Sequence, residues 1–326
     1  MQRRSAFALL AALAVTPLSG PAFAQAYPSK PITMIVPFAA GGPTDLTARI
    51  MAEGMSKQLG TQIIIDNTTG AAGTIGVGKV VRAAPDGYTI GIGHLGTHVA
   101  NGIIYKNLNY NPLTDLEPVA LLPSNPLLVV TSNPVPAKTL KDVVEYLKAN
   151  PDKISGGTAG IGSGSHLGAL AFFAATGAKF QLVPYRGTGP AVQDLIANQI
   201  QIMIDQSSNS LPHVRAGKIR AYAVTARTRS AAMPDVPTAA EAGYPMEVAI
   251  WHGLWVPKGT SPEIIARLSA AVTATLQDPM VRRRLEDLGQ ELPTAEQMTP
   301  AAFGAFHRAE YTKWQKILED ANVKPE

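Results

Sequence analysis

Two glycine-rich loops carry the residue types best suited to holding an anion. The first, Phe38-Ala39-Ala40-Gly41-Gly42-Pro43-Thr44-Asp45, leads from a β-branched run into a helical pattern. Gly41 and Gly42 keep side chains away, so backbone N–H groups there can face an anion. Pro43 suits the first helical position, and Asp45 complements the positive end of the helix dipole. Asp45 therefore reads as a cap before it reads as a ligand contact. The second loop, Gly160-Ile161-Gly162-Ser163-Gly164-Ser165-His166, also follows a strand pattern and opens a helix. Its two hydroxyls, three glycines and one imidazole suit a carboxylate or phosphate, with Ser165 the expected helix N-cap. Neither loop contains Arg or Lys, and the nearest suitable cation, Arg186, sits in a turn that reads as exposed.

Other patterns lack a required member. Gly73 to Lys79 has P-loop spacing, but Val80 stands where the magnesium-binding Ser/Thr belongs. Gly91-Ile92-Gly93-His94-Leu95-Gly96 matches the dinucleotide fingerprint, yet Asp115 falls in a Pro-flanked loop instead of at a strand end. His94 and His98 stand four apart without the Glu or third ligand of a zinc site, so they read as ligand-contacting or surface histidines. Ser163 or Ser165 with His166 would make a secreted serine hydrolase, the main rival reading. No nucleophile elbow surrounds either serine, and neighbours at a helix start point apart. Asp205, at the end of an apolar strand pattern, is the carboxylate expected at a strand tip.

The 326 residues hold 28 Lys+Arg, 24 Asp+Glu and no cysteine, a formal charge of +4. Absence of cysteine excludes a disulfide framework, thiolate metal sites and a cysteine nucleophile. Scattered lysines at so small a net charge exclude the basic stripe of a nucleic-acid binder. A hydrophobic fraction of 46% with 16% charged residues is that of a globular chain. Arg3 and Arg4, the apolar run Ala6 to Val15 and the Ala22-Phe23-Ala24 site read as a cleavable secretory signal over residues 1–24. The apolar run is about half the length of a membrane span, so a periplasmic mature protein is expected.

Beyond the signal, short β-rich runs alternate with helical patterns, the rhythm of an α/β fold with largely parallel sheets. Strands are expected at Ile32 to Pro37, Gln62 to Asp66 and Gly87 to Ile92, with a helix from Pro43 to Leu59. A Pro-rich stretch, Pro112 to Pro136, interrupts this series. Strands then follow at Lys153 to Thr158, Phe180 to Pro184, Gln201 to Ile204 and Arg220 to Thr225. Helices are expected at Thr139 to Ala149, Ser165 to Thr176 and Pro190 to Ala197. After a last strand, Ala249 to Val256, the remainder reads as helical. Two βα series imply two lobes with crossings near 125 and 248: residues 25–125 with 248–326 in one, 126–247 in the other. One loop per lobe describes a clamshell.

In order and spacing, these segments resemble the tripartite tricarboxylate transporter substrate-binding family, the Bordetella uptake gene (Bug) receptors. The segments are PFAAGGPTD (37–45), NTTGAAGTIG (67–76), APDGYTIGIG (84–93), GSGSHLGALAF (162–172), VPYRGTGPAVQDLIANQI (183–200), IMID (202–205), VPTAAEAGYP (236–245) and WHGLWVPKGTSP (251–262). The resemblance implies a two-lobed, periplasmic-binding-protein-like clamshell, each lobe a mainly parallel sheet flanked by helices. It implies that a ligand carboxylate is held at Phe38, Ala39, Gly42 and Thr44 and at Gly162, Ser163, Ser165 and His166, through backbone groups and ordered water. Neighbouring loops would then set specificity at His94, Thr97, His98 and Asp205. The run Thr68-Thr69-Gly70-Ala71-Ala72-Gly73 departs from the family's more usual Pro-Gly-Ala-Gly-Gly. The expected protein is a monomeric, non-enzymatic receptor that binds a small organic carboxylate without cofactor or metal. A dicarboxylate, or an aromatic acid such as terephthalate, is the expected ligand. Its expected partners are membrane transporter subunits or a sensor.

Overall fold

The computed structural model describes residues 27–320, and the expected leader with its cleavage site lies outside the described residues. In chain order the strands are β1 (Ile32–Val36), β2 (Ile63–Asn67), β3 (Thr89–His94), β4 (Leu116–Ser132), β5 (Ser155–Thr158), β6 (Gln181–Pro184), β7 (Ile202–Gln206), β8 (Ile219–Val224) and β9 (Ala249–Pro257). The helices are α1 (Pro43–Leu59), α2 (Thr74–Val81), α3 (Asn101–Ile104), α4 (Leu140–Ala149), α5 (Gly164–Thr176), α6 (Thr188–Ile196), α7 (Ser207–Arg215), α8 (Pro262–Gln277), α9 (Pro279–Asp287) and α10 (Pro300–Asp320). A π-helical turn, Gly96–Ala100, precedes α3. Among the described residues no helix is long and apolar enough to cross a membrane.

The strands form one continuous sheet in the order β2-β1-β3-β9-β4-β7-β5-β6, with β8 also paired to β4. Sections β2-β1-β3 and β7-β5-β6 are parallel, as βα alternation requires. The seam between them is antiparallel: β9 runs against β3, and β4 against β9, β7 and β8.

That seam corrects the sequence reading of Pro112 to Pro136 as a break. Residues Leu116–Ser132 form a 17-residue strand despite Pro118, Pro123 and Pro126. Proline lacks a ladder donor and is tolerated where pairing lapses. The ladder with β9 shifts register between Pro118 and Ala120 and again between Leu122 and Ser124, and Pro123 drops out of it. Bulges of this kind bend and twist a strand, which lets β4 serve both sections.

Local signals fix most helix ends. α1 starts on Pro43 and stops at Gly60, whose left-handed φ of 69° lets its N–H reach Ser56 O at 3.0 Å. A reciprocal Thr139–Asp142 capping box opens α4. α1 packs Met51 and Met55 against Leu268 and Val272 of α8, all fully buried. Each such side chain contributes about 1.5–3 kcal/mol by leaving water. The P-loop-like run is the N-cap and first turns of α2, and the dinucleotide-like glycines lie within β3 and the turn after it. Neither forms a phosphate loop.

Candidate functional site

Four helices begin around one small cavity. Its wall takes Gly42, Pro43 and Thr44 from the start of α1, and Ser163, Gly164 and Ser165 from the start of α5. Thr188 opens α6 and Gln206 caps α7; Phe38, His94 and Ala159 complete the wall. The room it leaves for a water is about 10 Å³, enough for one molecule. Among the described residues no Arg or Lys lines it, and the groups that can face an anion there are helix N-termini and polar hydrogens.

The first loop is held from behind. Asp45 accepts from Gly41 N–H at 2.9 Å, Arg49 Nε at 2.8 Å and Asn67 Nδ2 at 3.0 Å. Burial opposes its ionisation, but these donors hold its carboxyl below the usual carboxylate range. Asn67 also donates to Phe38 O at 3.0 Å. Asp45 therefore braces the loop, as its capping reading expected. Gly42 and Gly189 meet backbone to backbone: a methyl at Gly189 would stand 3.0 Å from Gly42 N. Ala39 is drawn into the same contact, its N–H donating to Arg186 O at 3.3 Å, whereas the Arg186 side chain is exposed.

In the second loop Ser163, and not Ser165, is the N-cap of α5, its Oγ accepting from His166 N–H at 3.3 Å. Ser165 Oγ instead accepts from Ala159 N–H at 2.9 Å, tying the loop to the end of β5. The two hydroxyls stand 3.2 Å apart. His166 Nδ1 accepts from Gly162 N–H at 3.3 Å, and burial lowers the pKa of the ring. Neither hydroxyl is hydrogen-bonded to a histidine ring among the described residues, so the serine-hydrolase reading lacks its nucleophile–base pair. Gly162 holds φ +87°, and a methyl there would meet Asn101 Oδ1 at 2.2 Å.

The two histidines expected near the ligand part company. His94 stacks on Phe38 at 4.9 Å and meets the edge of His252 at 5.6 Å. Its Nδ1 accepts from Gly96 N–H at 2.9 Å, and burial followed by repulsion from His252 holds its pKa well below normal. The neutral ring then carries its proton on Nε2. His98 lies on Trp255 at 3.6 Å, and its carbonyl accepts from His307. Thr97 Oγ1 is spent on His94 N–H, His94 O and His98 Nδ1. The π-helical turn after β3 rotates Thr97 and His98 into the core, where neither lines the cavity. Asp205, fully buried, is also off the wall: its Oδ2 accepts from Asn209 Nδ2 at 2.7 Å and Ser210 Oγ at 2.5 Å.

Of the expected residues, the fold brings Phe38, Gly42, Thr44, His94, Ser163 and Ser165 to the wall. Ala39, Gly162 and His166 stand in the adjoining loops. Sequence reasoning passed over Thr188 and Gln206. Both are buried; among the described residues Gln206 Oε1 has no hydrogen-bond partner, and Thr188 Oγ1 has no well-formed one but stands beside the Asp205 carboxyl and favours its charged form. A signal existed: Tyr185-Arg186-Gly187-Thr188-Gly189-Pro190 is a third glycine turn between a strand and a helix.

A family model described as tripartite tricarboxylate transporter family receptor matches residues 47–323. Among solved structures, the periplasmic binding protein BugD superposes with a TM-score of 0.89 at 40% identity, over 92% of this chain and 100% of that one. MatC from Rhodopseudomonas palustris, solved with bound malate, gives 0.86 at 41% identity, over 90% and 100%. An R. palustris protein solved with adipate gives 0.88 at 33% identity, over 92% and 100%.

Proposed function

The chain belongs to the tripartite tricarboxylate transporter receptor family, and from that membership we propose that it captures a small organic dicarboxylate in the cavity where α1, α5, α6 and α7 begin. It is a solute-binding receptor. The observation that carries the ligand reading is the wall itself, four helix starts and a set of hydroxyls with no cation among them. Helix termini contribute about 0.3–1 kcal/mol each, up to about 2 when partly buried. Hydrogen bonds to a charged group contribute about 1.5–3 kcal/mol each. Micromolar binding requires about 8 kcal/mol, which several donors from the two glycine loops, Thr188 and Gln206 supply together.

The malate and adipate complexes of the two R. palustris relatives support a ligand with a carboxylate at each end. The parallel Phe38–His94 pair in the wall favours one further class, flat aromatic acids of the terephthalate kind. A one-water cavity admits none of these without separation of the loops that close it. We take residues 25–125 with 248–326 as one moving lobe and 126–247 as the other. Export to the periplasm after loss of residues 1–24, and delivery to transporter membrane subunits, complete the reading.

A thermal-shift screen against malate, succinate, adipate, terephthalate, amino acids and neutral sugars tests it. A ligand at 100 times its dissociation constant adds about 2.7 kcal/mol of stability. The proposal expects a rise in melting temperature with one or more dicarboxylates. A response to sugars alone, or to none of the acids, would overturn it.

A further inference from the structure

Asp205 raises an electrostatic problem for any anion site in this cavity, and the inference drawn from it rests on the reading above. It directly precedes the wall residue Gln206 on β7 and is 0% exposed. Asn209 Nδ2, which donates to Asp205 Oδ2, also lies 3.2 Å from the carbonyl of the wall residue Thr188. The carboxyl is thus one amide removed from the cavity. Its Oδ1 has no well-formed hydrogen bond, and neither has the nearby Thr188 Oγ1.

Among the described residues no cation compensates the group. β7 packs against β4, β5, α5, α6 and α7. On β4 the residue paired with Asp205 is Leu128, the strand's one ionisable side chain is Glu117 near its far end, and β5 has none. α5 brings His166, held below its normal pKa by burial. α6 brings Asp194, bonded to Tyr185 Oη at 2.7 Å. α7 brings His213, its pKa lowered by burial, and Arg215, which donates outward to Asp287 O and Ala232 O. Across the cavity stands His94, also held well below its normal pKa by burial. An anion between the loops therefore meets a second buried negative charge with nothing between them but neutral dipoles. Like charges in a dry site are relieved when one of them takes up a proton.

We propose that Asp205 is a further affinity-determining residue of this receptor: capture of a carboxylate between the loops is accompanied by uptake of one proton from solvent onto the Asp205 carboxyl. Protonation removes the repulsion and lets Oδ1, which has no well-formed hydrogen bond, donate to the Thr188 hydroxyl beside it. Burial already pushes this carboxyl up to about 6, against the pull of Ser210, Asn209, the Gln206 backbone and Thr188. A bound anion raises it further. With a free-protein value of about 6, roughly nine-tenths of a proton enters at pH 7 and about a tenth at pH 5. Affinity then rises up to about tenfold per unit as the pH falls from 8 towards 6, and levels off below.

Calorimetry with malate and adipate, in two buffers of different ionisation enthalpy at pH 7 and pH 5, measures the protons directly. The proposal expects uptake near one at pH 7, and its loss in Asp205→Asn while binding persists. Binding without uptake, or uptake unchanged in Asp205→Asn and so belonging to the ligand or a histidine, would overturn it while leaving the receptor reading intact. Failure of both acids to bind at either pH would sink the dicarboxylate reading and this inference with it. Ligand-induced infrared difference spectra of the unmodified protein give a check that needs no folded variant. A new protonated-carboxyl C=O band on binding, with loss of a carboxylate band, is expected; its absence would overturn the proposal.

Discussion

Single buried polar groups in this protein trade stability against binding. The Thr188 hydroxyl is buried without a well-formed hydrogen bond, its weak contact being the Asp205 carboxyl. That contact offsets little of the cost of burying such a group, about 1–3 kcal/mol. Thr188→Val keeps the shape and removes the buried hydroxyl together with its weak contact to Asp205. Urea unfolding should show it more stable by about 1 kcal/mol, while calorimetry shows weaker binding of the acid found in the screen; a variant that binds as before would remove Thr188 from the site. Acid sensitivity is likewise a residue-level property. Burial lowers His252 to about 4, so its neutral form is retained on folding while the unfolded chain binds a proton near 6.5. The unfolded state therefore gains protons first, and stability falls as pH drops from about 6.5 through 4, by roughly 3 kcal/mol for this residue. His94, His98 and His307 are shifted in the same direction. Asp205 acts oppositely: raised to about 6, it binds its proton more readily when folded and adds stability as pH falls from about 6 to 3.8. Urea unfolding between pH 7.5 and 4 should show a net loss, steeper below pH 6 in Asp205→Asn. A flat profile would contradict the buried neutral histidines.

At the scale of elements, the loops between strands and helices do the work, and their backbone matters more than their charges. Ser163 presents a hydroxyl at the wall and caps α5, whereas the Arg186 side chain is exposed and its turn contributes a carbonyl to Ala39. Ser163→Ala should weaken ligand binding more than Arg186→Ala, as calorimetry on both will show; a large loss confined to Arg186→Ala would put the anion elsewhere. Gly162 combines a left-handed φ with a close approach to Asn101. Gly162→Ala has to move that contact, so both the melting temperature and the affinity should fall, by about 1–3 kcal/mol of backbone strain.

For the whole molecule, the decisive feature is the antiparallel seam. The two stretches expected to cross between lobes, near 125 and 248, are hydrogen-bonded to each other, with Ser124 opposite Trp251 and Pro126 opposite Ala249. Glu291 joins this place through a single antiparallel bridge, exchanging two backbone bonds of 2.9 Å with Ser124. In the proposed two-lobe reading this paired crossing is the hinge, where few φ/ψ changes are enough for rotation. Small-angle scattering of the ligand-free protein should give a larger radius of gyration than at saturation with the acid from the screen. Equal radii, together with calorimetric binding, would mean that the loops exchange ligand without lobe movement.

The sequence by itself determined the elements whose causes are local. α1 was legible to the residue because proline starts it and glycine stops it; the parallel strands were legible as short runs between helices, β-branched in β1 and β2. The two glycine loops were legible for the same reason, since a strand-to-helix turn that presents backbone N–H groups needs residues without bulk. What only the tertiary structure decided depends on partners distant in the chain. β4 is a strand because β9, β7 and β8 supply its ladder, whereas its own prolines read as a break. His98 and Thr97 look like His94 in the sequence, but a π-helical turn and the Trp255 face send them into the core. Thr188 and Gln206 reach the wall because α6 and α7 start beside α1 and α5, a meeting of four helix ends that no local pattern encodes. Local conformation follows from nearest-neighbour sterics and hydrogen bonding, while a cavity is the common boundary of elements brought together by burial.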